Sequence, residues 1–201
     1  MINILYLHAG SEMYGADKVL LELVSGLDKK RFHPIIILPS EGVLAVALRK
    51  RDIETHIVSY PILRRKYFNL QGVLKYTSGY FKATNQIYKI VKNRKINLLH
   101  VNTVAVLEGI ALKRKLKVPL IWHVHEIITT PKIIYKVTSM LLGRYADQVI
   151  AVSNAVARHL INSGSINKAK IKVIYNGVDN EVFNPDVNTD YLFDEFKVPK
   201  D

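Results

Sequence analysis

The run Ile35-Ile36-Ile37-Leu38 constrains this chain more than any other feature. A strand with one wet face alternates apolar and polar residues, whereas a strand covered on both faces reads as an unbroken apolar run. These four aliphatic residues, within 34–38, therefore predict a strand buried between two layers. Further strand candidates occupy 2–8, 54–58, 96–102, 120–124, 148–152 and 171–174. Between them the spacing changes to the helical period. Ala16, Val19, Leu20, Leu23, Val24 and Leu27 make one apolar stripe. The same reasoning predicts helices over 42–51, 70–92 and 103–117. Within 70–92 the stripe is Leu70, Val73, Leu74, Phe81, Ile87 and Val91. Pro131 reads as an early residue of a helix reaching 145, and Ser153 or Asn154 can cap the next one. Strands alternating with helices predict an α/β fold, a parallel sheet of about seven strands between helical layers. Its crossovers should be right-handed, with a ligand crevice at the C-terminal strand ends.

With 201 residues and 49% hydrophobic content, the chain can bury one full core and leave a short remainder. Beyond residue 174, Asn176-Gly177 is a turn signal, and 184–201 lacks helical or strand periodicity. The domain is thus assigned to 1–183 and a linker to 184–201. The absence of cysteine excludes disulfides and thiolate metal sites. No charged segment precedes the first apolar run, and no uncharged run approaches the roughly eighteen residues of a membrane span. The expectation is a soluble, cytoplasmic protein.

The formal charge of +12 is unevenly placed. Residues 55–107 contain no Asp or Glu, yet hold Arg64, Arg65, Lys66, Lys75, Lys82, Lys89, Lys92, Arg94 and Lys95. Tyr67, Phe68, Tyr76, Tyr80, Phe81 and Tyr88 are interleaved with them. Such a surface attracts lipid headgroups, polyphosphate or nucleic acid. The plainer alternative is a solvated basic helix face with its aromatics in the core.

His8, His100, His123 and His125 fall at or near the ends of the first, fourth and fifth strand candidates. In the expected topology these ends surround one crevice. His123 and His125 share a strand face and so form an H-x-H pair that can chelate a metal, although no further ligand motif accompanies it. Alternatively, only His125 reaches the crevice, beside Glu126, to bond a hydroxyl or move a proton. The loop 9–17 holds Gly10 and Gly15 before the first helix, whose amides and dipole suit a phosphate. It is not the G-x-G-x-x-G of a dinucleotide site.

Four segments in this order resemble the N-terminal domain of family 4 retaining glycosyltransferases of the GT-B fold. They are Tyr14-Gly15-Ala16-Asp17-Lys18-Val19-Leu20-Leu21-Glu22-Leu23, Trp122-His123-Val124-His125-Glu126, Ala146-Asp147-Gln148-Val149-Ile150-Ala151-Val152-Ser153, and Val173-Ile174-Tyr175-Asn176-Gly177-Val178-Asp179 with Phe183-Asn184-Pro185. The resemblance implies a Rossmann-like, acceptor-binding half-enzyme that transfers a sugar from a nucleotide-sugar donor to a polysaccharide or lipid-linked glycan, with retention. It implies that Gly15 and Ala16 line the cleft, although the family's usual glycine pair is Tyr14-Gly15 here. It places His125 at the reacting sugar or acceptor, and Glu126, Ser153, Asn176 and Gly177 along the cleft. No metal or other cofactor is implied, and most donor contacts belong to a C-terminal domain expected beyond Asp201. This half alone is expected not to catalyse efficiently. By the same analogy Arg64, Arg65, Lys66, Tyr67 and Phe68 form an anionic-membrane contact, making the protein peripheral on the inner face of the cell membrane. A second reading is a non-catalytic module binding anionic lipid or nucleic acid through the basic face, although no nucleic-acid motif is present. A third is a metal hydrolase built on His123 and His125.

Overall fold

The computed structural model describes residues 1–177 and 195–197. Seven strands form one parallel sheet: β1 (Ile2–Leu7), β2 (Phe32–Leu38), β3 (Glu54–Ile57), β4 (Ile96–Val101), β5 (Leu120–Val124), β6 (Gln148–Ala151) and β7 (Ile171–Val173). Their order is β3-β2-β1-β4-β5-β6-β7, so the sheet grows outward in both directions from a switch between β1 and β4. Six helices connect them: α1 (Gly15–Ser25), α2 (Val43–Lys50), α3 (Leu70–Val91), α4 (Glu108–Leu116), α5 (Lys132–Tyr145) and α6 (Asn154–Asn162). The fold is α/β and Rossmann-like, as the alternating pattern predicts.

The isoleucine run is buried on both faces. Ile35 and Ile37 point into the cluster holding Leu5, Leu7, Val101 and Trp122, while Ile36 and Leu38 point into the cluster of Tyr6, Leu20, Val24 and Leu48. The first cluster packs beneath residues of α3 through α6 and the second beneath α1 and α2. Each face supplies alternate side chains, which is why no polar residue interrupts the strand.

Three local expectations are corrected. The helix expected over 103–117 opens only at Glu108. The Thr103 carbonyl accepts Trp122 Nε1 at 2.6 Å, and its hydroxyl accepts the Ala105 amide at 3.2 Å, so these groups serve a loop instead of a helical turn. Pro131 has an extended backbone, with ψ of 146°, and precedes α5 instead of lying inside it. In α3 the apolar residues divide along the helix more than around it: Val73 and Val91, five turns apart, share one direction, yet only Val91 is buried. Gly72, Ala83, Thr84, Ile87 and Val91 are buried, while Leu70, Val73, Leu74 and Phe81 are exposed. Ser153 caps α6, its hydroxyl accepting the Val156 amide at 3.2 Å.

The linker reading of 184–201 and the Phe183-Asn184-Pro185 segment fall outside the described residues, apart from Glu195, Phe196 and Lys197, which are exposed. Among the described residues no helix is long and apolar enough to cross a membrane.

Candidate functional site

Three neighbouring strands each deliver one polar residue at the first position past their end. His8 follows β1, Asn102 follows β4 and His125 follows β5. A hydrogen-bonded chain joins them. Asn102 Nδ2 donates to the Ala16 carbonyl at 3.3 Å and meets His8 Nδ1 at 3.1 Å. Asn102 Oδ1 lies 3.1 Å from His125 Nε2. At the far end His8 Nε2 bonds the Asp17 carboxylate. The other carboxylate oxygen, Oδ2, accepts the amides of Met13 and Tyr14 at 2.9 and 2.8 Å. Burial alone would raise the Asp17 carboxyl; the hydrogen bond from His8 Nε2 and those from the Tyr14 and Met13 amides outweigh it and hold the group below the usual carboxylate range. Two donors of the glycine loop are thereby occupied by Asp17, leaving Gly15 and Ala16 as first-turn amides without an intrahelical partner.

Gly15 is exposed, and a side chain there would meet nothing within 4 Å. The fold does not itself require glycine at this position; the space above it is open. Ala16 is half-buried against Asn102.

His125 is half-buried, with its Nδ1 outside the hydrogen-bonded chain. Burial, with His123 and His8 nearby, lowers its pKa to about 3, so the ring is neutral at physiological pH. His100 and His123 line up behind it, with ring centroids 5.5 Å apart and His123 4.3 Å from His125. Both are buried and lack partners at His100 Nε2 and at both His123 nitrogens. Burial lowers their pKa values to about 3 and about 4. The four expected histidines therefore converge, but only His125 opens to the crevice. Among the described residues no three His, Cys, Asp or Glu side chains are grouped to hold a metal, so the H-x-H pair gains no third ligand.

Glu126 staples its own loop. Its carboxylate accepts the Thr103 hydroxyl at 2.5 Å and the His125 amide at 3.2 Å. Ser153 spends its hydroxyl on the α6 cap, beside the exit of β6. Asn154 Nδ2 donates to Tyr175 Oη at 2.7 Å, which brings the exposed Asn176 and Gly177 next to that cap. Asp147, part of the same resembling segment, lies at the opposite end of the sheet and accepts the Leu120 amide at 2.7 Å and Lys113 Nζ at 2.6 Å. Its role is structural.

The 64–68 segment follows Leu63, whose amide donates to the Ala105 carbonyl of the loop after β4 at 2.9 Å. Arg64, Arg65, Lys66 and Phe68 are exposed and Tyr67 half-buried, with Lys66 Nζ 5.1 Å from the Tyr67 ring centre. Arg94 is paired with Glu54, so it is not part of a free basic face. An open groove of about 680 Å³ runs between the β3 exit and α3, lined by Tyr60, Pro61, Tyr67, Lys82 and Lys89. It does not reach the histidine, and its nearest link is Tyr60, whose hydroxyl accepts the His8 amide at 3.3 Å.

Sequence reasoning placed His8 and His125 but passed over Asn102 and the role of Asp17. A signal for Asn102 existed: like the two histidines, it is the first polar residue after a buried strand.

The sequence model of glycosyltransferase family 4 matches residues 13–182. The chain belongs to that family. No curated protein matches its sequence. Among solved structures it is similar to Alr3699/HepE of Anabaena in complex with UDP, at 21% identity and a TM-score of 0.73, covering 98% of this chain and 50% of that one. A glycosyltransferase from Rickettsia africae gives 22% identity and a TM-score of 0.70, with 100% and 50% coverage. MurG of Acinetobacter baumannii gives 15% and 0.56, with 78% and 42% coverage. At these identities the likeness establishes the fold, and the family 4 domain spans about half the length of these structures.

Proposed function

We propose that this domain is the acceptor-binding half of a retaining glycosyltransferase that uses a nucleotide-sugar donor. The observation that carries the reading is the neutral His125, held by Asn102 at the open end of a family 4 domain. Its ring bonds a hydroxyl of the sugar or acceptor, and Gly15 and Ala16 offer backbone amides and open space to the donor phosphates. Glu126 and Ser153 shape the cleft by fixing its loops, while Asn176 and Gly177 line its far rim. Similar structures contain UDP and UDP-glucose, which makes these the first donors to try. A second domain completes the cleft, and the reaction proceeds without a metal. The acceptor is a polysaccharide or lipid-linked glycan.

The test is transfer from UDP-sugars by the protein carrying both halves, with the product anomer read by NMR. Retention that survives chelation supports the reading; an inverted product or loss of activity with EDTA refutes it. Isothermal titration of the 201-residue chain with UDP-glucose reports how much donor affinity resides in this half.

The exposed apolar residues of α3 beside Arg64, Arg65 and Lys66 favour docking on an anionic membrane, at the cytoplasmic face. Co-sedimentation with anionic against neutral vesicles tests this, and equal binding to both counts against it. Salt-sensitive binding of RNA with no response to UDP-glucose would favour the non-catalytic module instead.

A further inference from the structure

We propose that Asp17, His8 and Asn102 are positioning residues that hold the His125 ring in one tautomer, protonated on Nε2, so that its Nδ1 lone pair faces the crevice and accepts a hydrogen bond from a ligand hydroxyl. The proposal deepens the reading of the crevice given above and rests on it only for the identity of the ligand.

The chain of bonds has one consistent direction. The Ala16 carbonyl can only accept, so the atom of Asn102 facing it is the amide nitrogen. That fixes the Asn102 oxygen toward His125 Nε2, and an oxygen acceptor requires the proton to be on that nitrogen. The second Asn102 N–H points to His8 Nδ1, which must supply a lone pair. The His8 proton therefore sits on Nε2, where the Asp17 carboxylate accepts it. The amides of Met13 and Tyr14 hold Asp17 in turn. Every member has its partners, and reversing any one bond sets donor against donor or oxygen against oxygen at the next.

The direction has a chemical consequence. A neutral imidazole with a free Nδ1 lone pair attracts O–H and N–H groups and repels phosphate and carboxylate oxygens, which offer lone pairs of their own. The tautomer therefore sorts the two ends of a sugar nucleotide, hydroxyls to His125 and phosphates elsewhere. The opposite tautomer would present an N–H and lose that discrimination.

The imidazole nitrogens of the ¹⁵N-labelled chain report this directly through long-range nitrogen–proton correlation spectra at neutral pH, with His125 assigned by its loss in His125→Phe. The expected wild-type pattern is pyrrole-like Nε2 and pyridine-like Nδ1; the reverse pattern overturns the proposal. Asp17→Asn keeps the shape but places an amide nitrogen against His8 Nε2. His8 should then move its proton to Nδ1, compete with the Asn102 amide, and shift the His125 nitrogens toward the opposite pattern three side chains away. Asn102→Leu removes the His125 acceptor outright and should give intermediate, tautomer-averaged shifts. Folding of each variant is read from the same spectra, and unchanged His125 nitrogens in a folded Asp17→Asn or Asn102→Leu protein refute the positioning role. No ligand or turnover enters these spectra, so failure of the glycosyl-transfer reading and failure of this one are separable.

Discussion

At the scale of single residues, two glycines with opposite demands separate fold from function. A Cβ at Gly42 would lie 2.4 Å from the Ser11 carbonyl oxygen, in a loop contact sealed by the Leu44 amide donating to that same carbonyl at 2.9 Å. Gly42→Ala must push two backbones apart, and we expect it to cost about 1–3 kcal/mol in denaturant melts. Gly15 has no such neighbour. Gly15→Ala should leave stability within about 0.5 kcal/mol while weakening UDP-glucose binding, because the methyl group enters the open space that the proposed cleft reserves for a phosphate at the helix start. A Gly15→Ala protein that melts like Gly42→Ala would place the constraint inside the fold instead. Sequence alone does not separate these two glycines, because their difference depends on what packs above each one.

Among the elements, α3 carries the most divided burden. Ala83, Ile87 and Val91 in its C-terminal half are buried, while Leu70, Val73, Leu74 and Phe81, from its start to its middle, are exposed. Phe81 is 58% exposed and Leu74 64%, so neither holds the fold together. Phe81→Ser should weaken partition onto anionic vesicles roughly tenfold, the scale of one large apolar group lost to water, while the melting temperature stays close to wild type. Loss of fold, or unchanged partition, would remove α3 from the proposed membrane contact. The central strands were legible because a parallel sheet covered on both faces leaves short aliphatic runs, whereas the edge strands β3 and β7 are only partly buried and carry polar residues. The α3 split was not, since its apolar residues fit one broad stripe and only packing shows which of them find neighbours. The start of α4 was hidden for a related reason: Thr103 answers to Trp122, nineteen residues away, and no local pattern encodes that bond. The candidate site was half legible. Its histidines stand at strand exits, but the partnership of His8 with Asn102 exists only because β4 crosses over to lie against β1.

The whole molecule should respond to pH in two opposed ways, which can be measured apart. His100, His123 and His125 are held neutral by burial, with pKa values lowered to about 3, about 4 and about 3. Below about pH 6.5 the unfolded chain takes up protons that the folded one refuses, so stability falls as pH drops through that window. Glu108 runs the other way. It is fully buried beside α3, and neither carboxyl oxygen makes a hydrogen bond of normal geometry; burial raises its pKa to about 8, and the amides of Glu108 and Leu107, close by but poorly aligned, offset only part of that. Between about pH 4.5 and 8 the folded state keeps a proton that the unfolded state releases, so this group's contribution declines as pH rises. Glu108→Gln keeps the neutral shape without that linkage. It should stabilise the protein by on the order of a few kcal/mol at pH 8 and make little difference at pH 4.5. Self-repulsion of a chain with a net charge of +12 also grows in acid, but about 0.5 M salt screens it and leaves buried imidazoles untouched. Thermal melts in that salt from pH 4 to 8 decide both effects. A melting temperature flat below pH 6.5 would mean that water reaches the histidine row, and an equal gain from Glu108→Gln at both ends would mean that Glu108 is not protonated in the fold.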